Sequence, residues 1–124
     1  MTQEEKELLL RDICGRLPYF TIAYITYKEG SKTMEGNLPV TTDDIDMLYE
    51  SVDAIEEAHY TIKPYLRPMS SMTEVEKEKY ERMTDWKSFD WEMVDFYNEH
   101  HLDYRGLIKK GLALEAPEDM YKTK

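Results

Sequence analysis

Apolar positions recur along the chain in blocks whose spacing changes, and the changes mark out elements. Thr2-Gln3-Glu4-Glu5 has the form of a capping box, with Thr2 as N-cap and Glu5 three residues inside the helix. Leu10, Ile13, Cys14 and Leu17 then share one helical face, which predicts an amphipathic helix over residues 3–16, stopped by Pro18. Tyr19 to Tyr27, YFTIAYITY, is rich in β-branched and aromatic residues on both faces and predicts a strand. Residues 28–32 read as a turn around Gly30, and Thr33 to Val40 as a weaker returning strand that Gly36 and Pro39 push to an edge.

A second helical stripe follows. Thr42 is the expected cap, and Ile45, Leu48, Val52, Ile55 and His59 are spaced three, four, three and four apart. His59 to Leu66 predicts a third short strand, leading into a stretch stiffened by Pro64 and Pro68. Thr73 to Glu76 repeats the capping-box pattern ahead of a short polar helix to about Met83. Ser88 is the expected cap of a last helix running through His101, with Phe89, Met93, Phe96, Tyr97 and His100 on its inner face and Trp86 packing before it. Gly106 and Gly111 break what remains, leaving Leu112-Ala113-Leu114 as a short apolar end. The expectation is one α+β domain over residues 1–124: a small antiparallel sheet, made of a hairpin and a third strand, packed with about four helices.

Composition adds limits to this outline. A chain of 124 residues, 41% of them hydrophobic, buries enough surface to fold as one domain without a metal or disulfide staple. Ten tyrosines suit a small core with wet margins. The single Cys14 has no internal disulfide partner, and on the apolar face it reads as buried and inert. No apolar run reaches the length of a membrane span, and the N-terminus opens with acids, unlike a secretory signal. A cytoplasmic protein is expected.

The net charge of −10 is unevenly spread. Residues 41–62 hold seven acids and no base, residues 74–103 ten acids against four bases, while residues 1–40 are close to neutral. Such a field repels phosphate backbones, which argues against direct nucleic-acid binding. Asp43, Asp44 and Asp46 complement the dipole at a helix start and equally offer an acidic face to a basic partner.

Two stretches invite chemistry. In His100-His101-Leu102-Asp103-Tyr104-Arg105, a histidine as general base, Asp103 as orienter and Arg105 as anion holder would make a sensible site. The plainer account needs no substrate: a helix end whose last carbonyls the histidines satisfy, an Asp103–Arg105 pair fixing the turn, and Gly106 releasing the chain. The other stretch, Lys63 to Thr73, is basic and extended, with Tyr65, Leu66, Arg67 and Met69 as a candidate partner-binding surface or simply a crossover loop. No nucleophile elbow, P-loop or dinucleotide fingerprint occurs, nor a HExxH, paired-cysteine or calcium-loop pattern. The expectation is a protein without metal or cofactor that binds another protein, with homo-oligomerisation, a phosphate-mimicking inhibitor of a nucleic-acid enzyme, and a small enzyme as alternatives.

The strings IKPYLRPMSSMTEVEKEKY at 62–80 and HHLDYRGLIKKGLALEAPEDMY at 100–121 resemble a widespread group of small uncharacterised proteins from gut bacteria, many of them encoded in phages and mobile elements. LLLRDICGRLPY at 8–19 shares a fainter likeness, and residues 20–60 do not follow the pattern. The resemblance implies a phage or prophage accessory protein. It implies no activity and transfers no site residues.

Overall fold

Thr2 closes both halves of the expected capping box: its Oγ1 accepts from the Glu5 amide at 3.1 Å, and its own amide donates to Glu5 Oε1 at 3.0 Å. Helix α1 runs from there over Gln3–Arg16. The computed structural model describes residues 2–29, 31–45, 60–85 and 90–121. After α1 and a tight 3-10 turn at Leu17–Tyr19 come strands β1 (Ile22–Glu29), β2 (Lys32–Pro39) and β3 (Tyr60–Leu66). A second 3-10 turn (Met69–Ser71), helices α2 (Glu74–Asp85) and α3 (Asp90–Glu99), and a two-residue strand β4 (Leu114–Glu115) complete the order.

The fold is α+β. The sheet order is β2-β1-β3-β4, with β1 antiparallel to both neighbours. β4 pairs parallel with β3, so the sheet is mixed rather than wholly antiparallel. β1 also starts later than its composition suggests. Pro18 holds the chain in the 3-10 turn, and Phe20, 78% exposed, then takes a left-handed conformation (φ 57°). Only after that does the backbone extend.

One sheet face carries the core. Ala23, Ile25, Ile62 and Leu66 meet Leu9 and Ile13 of α1, with Val40, Tyr60, Leu107, Leu112 and Ala113 closing the margins. The opposite face is solvated, which is the ordinary condition of a two-layer α+β sheet. There Tyr24 donates to Glu35 Oε2 at 2.7 Å, Tyr65 donates to Asn37 Oδ1 at 2.9 Å, and the Thr26 and Thr61 hydroxyls pair across strands.

The buried side of α1 is turned from the one its apolar residues mark. Lys6, Leu9, Asp12, Ile13 and Arg16 are buried, while Cys14 is exposed, so the expectation of a buried thiol is overturned. The reason is that two opposite charges, Asp12 and Arg16, neutralise each other inside, and a count of apolar residues alone misses the face they define. Gly15 is needed where it stands: a Cβ there would lie 2.9 Å from Asn98 Nδ2, so its absence lets α1 and α3 approach.

Of the second helical stripe, only its start is described. Residues 42–45 are helical, and the cap is Thr41 rather than Thr42: its amide donates to Asp44 Oδ2 at 2.8 Å. Ile45 packs on the core, whereas Leu48, Val52, Ile55 and His59 lie outside the described residues. So do Asp46, Gly30, Trp86, Ser88 and Phe89.

Candidate functional site

The end of α3 is where the sequence concentrates its polar chemistry, and the backbone there is unusual. The Leu102 amide returns to Tyr97 O at 2.8 Å and the His101 amide to Asn98 O at 3.1 Å. That is a Schellman motif, with His101 at the left-handed position glycine normally takes (φ 58°). A side chain there costs roughly 1–2 kcal/mol. Its side-chain contacts offset the strain: Nδ1 lies 3.0 Å from Thr21 Oγ1, and the ring stacks on Tyr121 with centroids 3.7 Å apart. Tyr121 in turn pins the chain end to the sheet, its hydroxyl accepting from the Ile22 amide at 2.9 Å and donating to Tyr65 O at 2.7 Å.

Each remaining polar residue of the stretch also has a partner within the chain. His100 Nδ1 lies 2.9 Å from Glu76 Oε2, and that carboxylate is fully used. Its Oε1 takes Arg67 Nη2 at 2.7 Å and the Thr73 amide at 2.8 Å, and its Oε2 takes Arg67 Nη1 at 2.9 Å. The Arg67 guanidinium and the Thr73 amide hold the Glu76 carboxyl well down, to about 2, against the opposing effect of burial.

Asp103 does not pair with Arg105 as the local sequence suggests. Its two oxygens accept the Leu107 and Ile108 amides at 2.8 and 3.0 Å, capping the turn that Gly106 (φ 73°) introduces. Arg105 reaches Asp12 instead, Nε to Oδ1 at 3.4 Å, a charge contact without hydrogen-bond geometry. Asp12 is held bidentately by Arg16 at 2.8 and 3.0 Å, and Arg16 also donates to Leu102 O at 2.7 Å. Tyr104 stacks on Tyr97 at 4.7 Å under the Arg105 guanidinium. The cluster therefore ties α1, β3, α2, α3 and the chain end together.

A hollow of about 280 Å3 lies elsewhere, lined by Glu4, Glu5, Glu7, Leu8, Arg11 and Lys110. None of the residues 100–105 lines it. Among the described residues, no group of three His, Cys, Asp or Glu side chains is placed to hold a metal ion.

The second candidate surface is divided by the fold. Leu66 is fully buried in the core, so it cannot face a partner. Arg67 is engaged by Glu76, His100 O and Ser71 O, and Met69 is half-buried. Tyr65 does present itself, half-exposed on the outer sheet face beside Asn37. Asp43 is exposed, whereas Asp44 bonds the Thr41 cap and accepts from Tyr60 OH at 3.0 Å. Asp46 lies outside the described residues.

No family model, curated protein or solved structure matches this chain.

Sequence reading missed Glu76 as the centre of its cluster, and it missed Asp12, Thr21 and Tyr121 altogether. The capping box flagged Glu76 only as a local partner, and the Asp12–Arg16 spacing of four was visible but its burial was not.

His101 carries a pH dependence. Burial first, then the nearby Arg16, Arg67 and His100 charges, push its imidazole from 6.5 down to about 4. The unfolded chain takes up this proton near pH 6.5, but the folded protein resists until about pH 4. Stability from this group is therefore complete above 6.5 and lost as pH falls through 4. The full difference corresponds to about 3 kcal/mol, which partial solvent contact screens to roughly 1–2 kcal/mol. Urea unfolding at pH 7, 5.5 and 4 should show that decline, and His101→Asn, which tolerates the left-handed backbone but does not titrate, should flatten it. An unchanged slope in His101→Asn would assign the decline to another group.

Proposed function

We propose that this chain is a protein-binding module of a phage or mobile element, working through the outer face of its sheet. The observation that carries the reading is a division of labour among polar groups. The polar side chains of the His100–Arg105 stretch are engaged with the chain itself, whereas Tyr24, Glu35, Asn37, Thr61, Lys63 and Tyr65 line a solvated face. Cross-strand hydrogen bonds hold Tyr24 and Tyr65 in place. Preset tyrosines lose little freedom on binding and supply both apolar area and a polar tip, so they make effective anchors. The likeness of residues 62–80 and 100–121 to small proteins of phages and mobile elements supports the biological setting.

The test is affinity capture from a gut-bacterial lysate at low and at high salt, with the wild type and a Tyr24→Ala/Tyr65→Ala variant. Capture that persists at high salt and disappears in the variant supports the reading. A partner lost at high salt but indifferent to the tyrosines would overturn it in favour of the acidic surface.

A further inference from the structure

We propose that two copies of this chain associate through the free edge of β2, forming one sheet that continues across a two-fold axis at Gly36. Among the described residues nothing pairs with that edge, since β2 is the terminal strand of the sheet. The strand is eight residues long and has no proline before its last position, Pro39. Long edges without such protection are templates for a further strand.

The register follows from the backbone. The Val40 amide donates to Thr21 O at 2.9 Å, which makes Thr21 and Val40 a hydrogen-bonded pair. Antiparallel alternation then bonds Leu38, Gly36 and Met34 to Ala23, Ile25 and Tyr27. The amides and carbonyls of Thr33, Glu35 and Asn37 consequently point away from β1. Pro39 falls on the same outward set, and its missing amide ends the pairing there.

Side chains choose among the symmetric registers. Met34 and Leu38 stand opposite Tyr27 and Ala23, so they share the core face of the sheet. Yet they are 66% and 51% exposed, apolar surface that the core leaves over. An axis at Gly36 sets Met34 opposite Leu38 of the second copy, in both directions, and Glu35 opposite Asn37. Two glycines meet at the centre, where the strands can approach closely. An axis at Glu35 would oppose two carboxylates, and an axis at Asn37 would set Glu35 against Pro39 and forfeit its bond.

Charge points to the same edge. Two molecules of net charge −10 repel over most of their surfaces, but residues 28–40 hold two lysines and two glutamates and are neutral. The contact is isologous and therefore closes at two copies. A single strand edge makes a small interface, so the dimer dissociates on dilution.

Sedimentation of the full chain from about 1 μM to about 1 mM tests this. The expected result is a mass rising from 14.8 kDa toward twice that value, with a Met34→Lys/Leu38→Lys variant remaining at 14.8 kDa throughout. Both positions are exposed, so the variant should keep the wild-type circular dichroism. Amide exchange gives a readout on the unaltered chain. The Glu35 and Asn37 amides should slow several-fold between the dilute and concentrated samples, while the Met34 and Leu38 amides, already bonded to β1, should change less. A wild type that stays at 14.8 kDa over the whole range overturns the proposal, as does a dimer that survives the double lysine variant.

Discussion

Asp12→Ala should be among the most damaging single substitutions in this protein, costing about 3–5 kcal/mol. Asp12 and Arg16 are both wholly buried, and the bidentate contact between them is the main compensation for removing the two charges from water. Without the carboxylate, Arg16 keeps only Leu102 O as a hydrogen-bond acceptor among the described residues, with the Tyr104 ring at 5.7 Å. Arg105 would lose its anion as well, though its side chain keeps some solvent exposure. Domains of this size are stable by about 5–15 kcal/mol, so the loss removes roughly a fifth of the total or more. Replacing both charges, as Asp12→Leu with Arg16→Met, should recover at least about 2 kcal/mol relative to the single variant, because the Arg16 charge is then no longer buried without its carboxylate. Urea unfolding of the three proteins decides it. A single variant within about 1 kcal/mol of wild type would mean that water reaches Arg16.

The same ion pair explains where sequence reading succeeds and where it stops. Local patterns were legible: both capping boxes, at Thr2–Glu5 and Thr73–Glu76, form as their spacing requires. β1 and β3 also follow from runs of β-branched and aromatic residues, and β2 from the turn that returns the chain. The face of α1 was not legible, since Asp12 and Arg16 look like surface residues until their burial is known. β4 was not legible either. Two residues carry no periodicity, and their pairing with Tyr65 and Leu66 depends on chain closure from far along the sequence.

The polar stretch at 100–105 shows the same limit at the candidate site. Gly106 as the turn residue was readable from composition, because a positive φ favours glycine. The partners were not. Asp103 chooses the amides four and five residues ahead over the neighbouring guanidinium, since two backbone donors converge on its two oxygens. Arg105 and His101 find Asp12 and Thr21, which adjacent sequence cannot indicate. In the fold these side chains meet at a junction of elements. The exposed apolar residues of β2 were likewise hidden, because only the strand order shows that Met34 and Leu38 sit on a terminal strand.

Arg67→Ala should lower stability by about 2–4 kcal/mol, somewhat less than Asp12→Ala because both partners keep some solvent contact. One guanidinium here spans four elements. From the end of β3 it holds Glu76 at the start of α2, His100 O at the end of α3, and Ser71 O of the 3-10 turn. Lysine cannot reproduce this fork, so Arg67→Lys should recover little. The Glu76 carboxyl, held near 2 against an ordinary 4.5, makes the pair's contribution complete above pH 4.5 and lost as pH falls toward 2. A double-mutant cycle with Arg67→Ala and Glu76→Ala at pH 7 should therefore give a coupling above about 1 kcal/mol, falling in magnitude at pH 3. The cycle also separates two roles for residues 63–73. If Arg67 served a partner rather than the fold, its removal would weaken binding while leaving urea stability unchanged and the coupling near zero. The contacts on both sides of Glu76 predict the opposite order: stability falls first, and any loss of binding follows from the loosened junction.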